Sequence, residues 1–221
     1  MHVELPKKGA LASAKAFAGE YAMIVVSILT ALALEHAAQS WHHRHRAHEA
    51  QANIETEIRA NLAELRSVMQ KNQQEIDKLG AVRAALREDI SNNVDDQQLL
   101  NHVRESSNGK FGMNQYTPTL RREAWEVAVA SQAASWIDPV LLQRYAGVYA
   151  LQRDIGQSSY SSGRQMLDAP AFVNRMADVE FVKVDRTGLY YAVVQMQGAL
   201  SSTQGNYAEL ERELVRVLPK S

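Results

Sequence analysis

Cysteine is absent from this sequence, which excludes disulfide bonds, thiolate metal sites and a cysteine nucleophile. Glycine and proline are scarce, with 11 and 5 residues, and this scarcity favours long helices over many short strands. A net charge of -1 gives no basic excess, so nucleic acid is not expected as a partner. The sequence also lacks a glycine-rich phosphate loop, a His-Glu-x-x-His pair and a nucleophile elbow, so we do not expect an enzyme.

What the sequence does contain is one apolar run, Tyr21–Leu34, with Glu20 before it and Glu35 after it. Apolar character extends over Phe17–Trp41, which reaches the length of about 20 residues that a membrane-crossing helix needs. We therefore predict a transmembrane helix over this longer range. A cleaved signal peptide with a small-residue site at 31–33 and the buried core helix of a soluble protein are the two alternatives.

The flanks of this segment predict its placement. Three lysines precede it and two arginines follow it, and cytoplasmic flanks carry the excess of such residues. We expect a single-pass protein of the bacterial inner membrane with a cytoplasmic N-terminus and a periplasmic C-terminal domain. Glu20, Glu35 and His36 are expected at the two interfaces, where polar side chains reach the headgroups. In an oligomer of spans, the two carboxylates could instead line a pore.

Between Ala47 and Asn92 apolar residues recur at spacings of three and four, which is typical of a helical heptad seam. This pattern predicts a long amphipathic or coiled-coil helix over 42–94, or a helix pair if Gly80 breaks it. An amphipathic helix that packs on its own domain is the alternative to self-association. Asn72 in the seam would specify register or partner number. The predicted oligomer seam consists of Leu62, Leu65, Met69, Asn72, Ile76 and Leu79.

The remainder of the chain also reads as helical. Residues 91–96 predict a turn and an N-cap, Asp138-Pro139 predicts a helix start, and Thr119 is predicted to cap a helix that reaches Trp136. The long loop after residue 106 carries Phe111 and Met113, so it should fold back on the core or contact a partner. The predicted fold class is all-α, with an N-terminal tail (1–16), a transmembrane helix (17–41), a long juxtamembrane helix (42–94) and a helical bundle (95–221).

Several short segments together resemble a known group. They are Gly19-Glu20-Tyr21, Ile24-Val25-Val26, Ala31-Leu32-Ala33-Leu34, Trp41, a charged helix with Glu57 and Asn61, Ala124-Trp125-Glu126, and Leu142-Gln143-Arg144-Tyr145. This pattern is similar to that of an uncharacterised bacterial family, a domain of unknown function, of single-span membrane proteins. The resemblance implies an N-terminal anchor and a helical soluble domain. It implies no activity and no catalytic residues.

Five of the seven histidines lie between residues 36 and 48. On a helix, His42, His45 and Glu49 fall near one face and could hold zinc, particularly with ligands from a second copy. Imidazole titrates near neutral pH, so a response to pH or to anionic lipid is a second interpretation. A polar collar at the headgroups is the third. No other cofactor is expected.

These features predict a membrane-anchored, non-enzymatic helical interaction or sensory module. Its expected partners are the lipid bilayer and either further copies of itself or another protein, contacted through helices. The alternative is a subunit of an oligomeric channel or transport complex formed by the N-terminal spans.

Overall fold

The computed structural model describes residues 9–109, 111–167 and 184–219, with side chains described for 17–109, 111–158 and 184–219. This part of the chain contains no β-strand, so the predicted all-α class is confirmed. It forms five α-helices: α1 (Gly9–Ser91), α2 (Asp96–Ser106), α3 (Glu123–Ala130), α4 (Pro139–Leu167) and α5 (Arg186–Val217). A 3-10 turn, Ala133–Trp136, joins α3 to α4.

The long N-terminal helix is present as one uninterrupted helix of 83 residues, which at 1.5 Å per residue is about 125 Å long. The possible break at Gly80 is not observed. A Cβ atom at Gly80 would lie 3.2 Å from Nε2 of Gln197, so the glycine instead allows α5 to approach closely. The helix ends in the predicted turn, where Asn93 has a φ of 51° and Asp95 caps α2 by accepting from two main-chain N–H groups.

From Ala47 onward, α1 is the spine around which the other helices pack. A proximal core surrounds Ala47–Val68 of α1, and a distal core surrounds Leu79–Leu86. Helix α5 contributes to both cores and runs antiparallel to α1, since Gln204 donates to the Met69 carbonyl (3.0 Å) and Gln197 to the Ile76 carbonyl (3.4 Å). Both cores therefore combine side chains of α1 with side chains of α5.

Two predictions about helix starts have opposite outcomes. Asp138 caps α4 as expected, with Oδ1 accepting from the N–H groups of Val140 and Leu141 at 3.0 Å each. The predicted cap at Thr119 is wrong, because α3 begins only at Glu123 and ends at Ala130. The loop before α3 does fold back, and Phe111 and Met113 pack half-buried against the distal core.

The first part of α1 differs from the spine. Except for the half-buried Val25, its large apolar side chains from Phe17 to Trp41 are exposed, from 54% at Ile28 to 71% at Phe17. Among the described residues, α1 is the one helix long and apolar enough to cross a membrane, with a mean hydropathy of 1.9 over its most apolar window.

Candidate functional site

Two buried asparagines of α1 bind the main chain of the segment before α3. Asn72 donates from Nδ2 to the Tyr116 carbonyl (2.9 Å) and accepts at Oδ1 from the Tyr116 N–H (2.8 Å). Asn61 makes the same pair of bonds with Arg121, both at 2.8 Å. Each amide therefore satisfies both main-chain groups of one residue, as a neighbouring β-strand would do.

The spacing of these asparagines matches the geometry of the segment that they hold. Eleven residues separate Asn61 from Asn72, which is about three helical turns and a rise of about 16.5 Å on one face. Five residues separate Tyr116 from Arg121, and an extended chain of that length also covers about 16.5 Å. An extended segment can therefore lie along α1 with both asparagines in register.

Two carboxylates extend this row, and we call Glu57, Asn61, Asn72 and Glu75 the polar ladder. Glu57 is 8% exposed and accepts from the Ala124 N–H (2.8 Å) and the Tyr149 hydroxyl (2.6 Å). Glu75 accepts from Nζ of Lys78 (2.6 Å) and from the Asn114 N–H (3.2 Å). Burial raises the pKa of Glu75, but these two bonds outweigh it and leave that pKa below its ordinary value.

Three aromatic residues surround the proximal end of the polar ladder. Burial raises the pKa of Tyr149, and its bond to the Glu57 carboxylate raises it further. Burial and Glu55 have the same effect on the pKa of Tyr145, whose hydroxyl donates to Glu55 at 3.1 Å. Trp125 stacks on Tyr149 with centroids 5.3 Å apart. Both tyrosines therefore stay protonated as hydrogen-bond donors, and this group holds α3 and α4 against α1.

The predicted oligomer seam lies inside this chain. Its leucines at 62, 65 and 79 are buried in the two cores, with Met69 and Ile76 packed against them. Asn72 is fully buried and holds Tyr116 of the same chain. These positions therefore fit the alternative in which the amphipathic helix packs on its own domain.

The residues predicted to hold zinc are exposed and do not converge within one chain. His45 stacks on Trp41 (5.8 Å between centroids), His42 lies beside His43 (6.5 Å), and no group of three metal-ligating side chains occurs among the described residues. Glu49 instead lines a groove of about 390 Å³ between α1 and α3. A zinc site at these positions stays a prediction that needs ligands from a second copy.

The turn between α3 and α4, Ala133–Trp136, lies beside α1 just beyond Trp41, and we call this end of the bundle its base. The Trp136 ring stacks on His43, with centroids 4.0 Å apart and planes at 11°. Arg46 donates to the Ser131 carbonyl at the end of α3 (3.2 Å), where a cation also complements the helix dipole. The histidine-rich stretch therefore contacts the bundle directly as well as following the apolar run.

The polar residues at the ends of the apolar run are exposed on α1. Glu20, Glu35 and His36 are all exposed, and Glu35 accepts from Nε2 of Gln39 one turn away (3.3 Å). Between the carboxylates, the Ser27 and Thr30 hydroxyls donate to carbonyls four residues earlier, each at 2.8 Å.

Sequence reasoning missed the polar ladder. Its available signal was the recurrence of Asn61 and Asn72 on the buried stripe at a whole number of turns, opposite a segment that contains Pro118. The missed interaction also explains the late start of α3, since Asn61 and Glu57 hold the main chain of residues 121 and 124.

Comparison with protein-family models, with curated proteins and with solved structures finds no match for this chain. The resemblance to the single-span family therefore stays a prediction.

Proposed function

We propose that this chain is a membrane-anchored, non-enzymatic helical module that acts by contact. The supporting observation is the continuity of α1, whose exposed apolar residues 17–41 run without interruption into the buried spine from Ala47. A helix that is apolar all round requires an apolar environment, which a bilayer supplies. The rigid helix would hold the bundle at a set distance from the membrane and carry movement between the two.

The internal polar groups of the apolar segment are compatible with lipid. Each hydroxyl of Ser27 and Thr30 donates within its own helix, so neither requires water or a partner inside the bilayer. This arrangement supports a lipid-facing anchor over the alternative of a pore lined by several spans. Glu20 and Glu35 would then mark the interfaces, with the N-terminus cytoplasmic and the bundle periplasmic.

The chemistry of the polar ladder supports a structural role for its carboxylates. Both oxygens of Glu57 already accept hydrogen bonds from within the chain, and Glu75 is paired with Lys78. A general acid or base must instead face a substrate proton. Self-association would use surfaces that the fold leaves exposed, since the seam residues are covered.

The first experiment tests the anchor and the type of assembly. The full chain is expressed, and its membranes are washed with alkaline carbonate to test the anchor. The mass of the detergent-solubilised protein is then measured during dilution to determine the type of assembly. We expect retention in the membrane and no conductance in planar bilayers. Release by carbonate would contradict the anchor, and conductance that Glu35→Ala changes would support the channel. A reporter fused at Ser221 that is active only in the cytoplasm would reverse the orientation.

A second experiment tests the mechanical unit. Arg44→Pro removes a helical hydrogen bond at an exposed position and kinks the helix, at a cost of about 3 kcal/mol. Spin labels at Ser27 and Ser67 should show a broader distance distribution than in Arg44→Ala, while both variants keep a folded bundle. An unchanged distribution would contradict a rigid connection.

A further inference from the structure

Trp136 is a large aromatic residue left exposed at the base of the bundle. It lies in the turn between α3 and α4 with 55% of its surface exposed, and it stacks on His43 of α1. Ile137, the next residue, is buried in the proximal core, so the turn itself is held firmly. The position of Trp136 is therefore fixed by His43 of α1 and by the proximal core that holds Ile137.

The axial level of this tryptophan follows from α1. His43 lies two residues beyond Trp41, a rise of about 3 Å. The headgroup layer extends about 5 to 7 Å beyond the hydrocarbon on each side. With Trp41 at the interface, His43 and the ring stacked on it fall inside that layer.

The chemistry of the surroundings fits lipid headgroups. Indole combines an apolar ring with one N–H donor and prefers the membrane interface. Arg44 is exposed on the same stretch and complements lipid phosphates. The nearest carboxylate on α1 beyond the span, Glu49, lies about 12 Å past Trp41 and so outside the headgroup layer.

We propose that Trp136 is a second membrane contact, which inserts from the bundle into the headgroup layer beside the point where α1 leaves the bilayer. This inference rests on the proposed membrane anchor. One helix alone leaves the bundle free to rotate and tilt at the surface. A second contact away from the helix axis restricts both movements and orients the bundle relative to the membrane.

The three tryptophans of the chain allow this proposal to be tested by depth-dependent quenching. They lie at different levels: Trp41 on α1, Trp136 at the base and Trp125 against Tyr149. Replacing two at a time by Phe leaves a single reporter in the full chain, reconstituted into nanodiscs of phospholipid brominated near the headgroup end of the acyl chains.

We expect the Trp136-only protein to lose a fraction of its emission comparable with that lost by the Trp41-only protein, because both rings lie at the interface. The Trp125-only protein is the matched control and should be unaffected. If the lipid quenches Trp41 but not Trp136, this inference is overturned and the anchor stands. In that case water or a second copy of the chain, and not lipid, covers the Trp136 ring. Failure to quench Trp41 would overturn the anchor itself. Equal quenching of Trp125 and Trp136 would mean that the bundle lies on its side, which also overturns the proposal.

A measurement in the native background covers the case in which a double variant does not fold. Trp136→Phe alone should lower the absolute amount of emission that the brominated lipid removes, whereas Trp125→Phe alone should leave that amount unchanged. An unchanged amount in Trp136→Phe would overturn the proposal.

Discussion

The two halves of α1 are built from the same aliphatic residues and have opposite surroundings. Leu29 in the first half is 60% exposed, whereas Leu65 in the second is fully buried. The difference lies in the pattern. Apolar residues surround the helix from Phe17 to Trp41, but beyond Ala47 they form one stripe with polar residues opposite. Because the first half is apolar on all sides, it requires an apolar solvent. Because the second half is apolar along one stripe, it packs that stripe against other helices.

Shortening one leucine in each half of α1 should show the largest difference between the two halves. Leu65→Ala should destabilise the bundle by about 2–5 kcal/mol, because it leaves a cavity in the proximal core. Leu29→Ala is the matched control and should leave bundle stability within about 0.5 kcal/mol. Denaturation of the detergent-solubilised protein, followed by near-UV circular dichroism, measures both. Equal losses would mean that the first half also packs against the bundle.

A lysine introduced into each half tests which half of α1 lies in the bilayer. Leu29→Lys places a charge near the middle of the apolar segment and should cost about 2.5–3.5 kcal/mol of membrane insertion. Ser67→Lys changes an exposed position of the spine, and insertion should be unaffected. The carbonate-resistant fraction of each variant is the measurement. Full retention of Leu29→Lys would contradict the assignment of the first half to the bilayer.

Asn72→Leu tests whether the spine packs within one chain or between chains. In an intermolecular seam, leucine would strengthen association. In this fold it leaves the N–H and carbonyl of Tyr116 without partners, so we expect a loss of about 1–3 kcal/mol. Asn53→Leu, at an exposed position of α1, is the control. Denaturation at several protein concentrations distinguishes packing within one chain from packing between chains. An Asn72→Leu transition that is stabilised and depends on protein concentration would favour the oligomer seam.

The smallest expected effect concerns pH at the distal end of the spine. His102 on α2 lies 2.9 Å from Asp89 of α1, and this hydrogen bond, with the charge of Asp89, raises the His102 pKa. Because the folded pKa exceeds the unfolded value of about 6.5, the stabilisation is complete below that pH and is lost as pH rises through the folded pKa. His102→Gln and Asp89→Asn should each flatten this dependence. A slope that persists in both variants would exclude this pair as its source.

Local signals in the sequence predicted the elements well where a few neighbouring residues determine them. Asp95 and Asp138 accept hydrogen bonds from the main chain two and three residues later, so their caps could be predicted. The start of α3 could not, because Asn61 and Glu57 reach it from 60 and 67 residues away. The candidate zinc ligands His42, His45 and Glu49 lie on α1, and the stacking of Trp136 on the neighbouring His43 was not predicted.

The helical class, the apolar segment and the amphipathic stripe follow from the amino-acid sequence alone, since these depend on composition and on the helical period. Which residues cover the stripe depends on the tertiary structure. A heptad pattern specifies a face that must be buried, and both another chain and this chain's own α5 can satisfy it. The choice depends on contacts such as Asn72 with Tyr116 and Gln204 with Met69, which join residues distant in sequence. The same holds for the base of the bundle, where the fold brings Trp136 to His43.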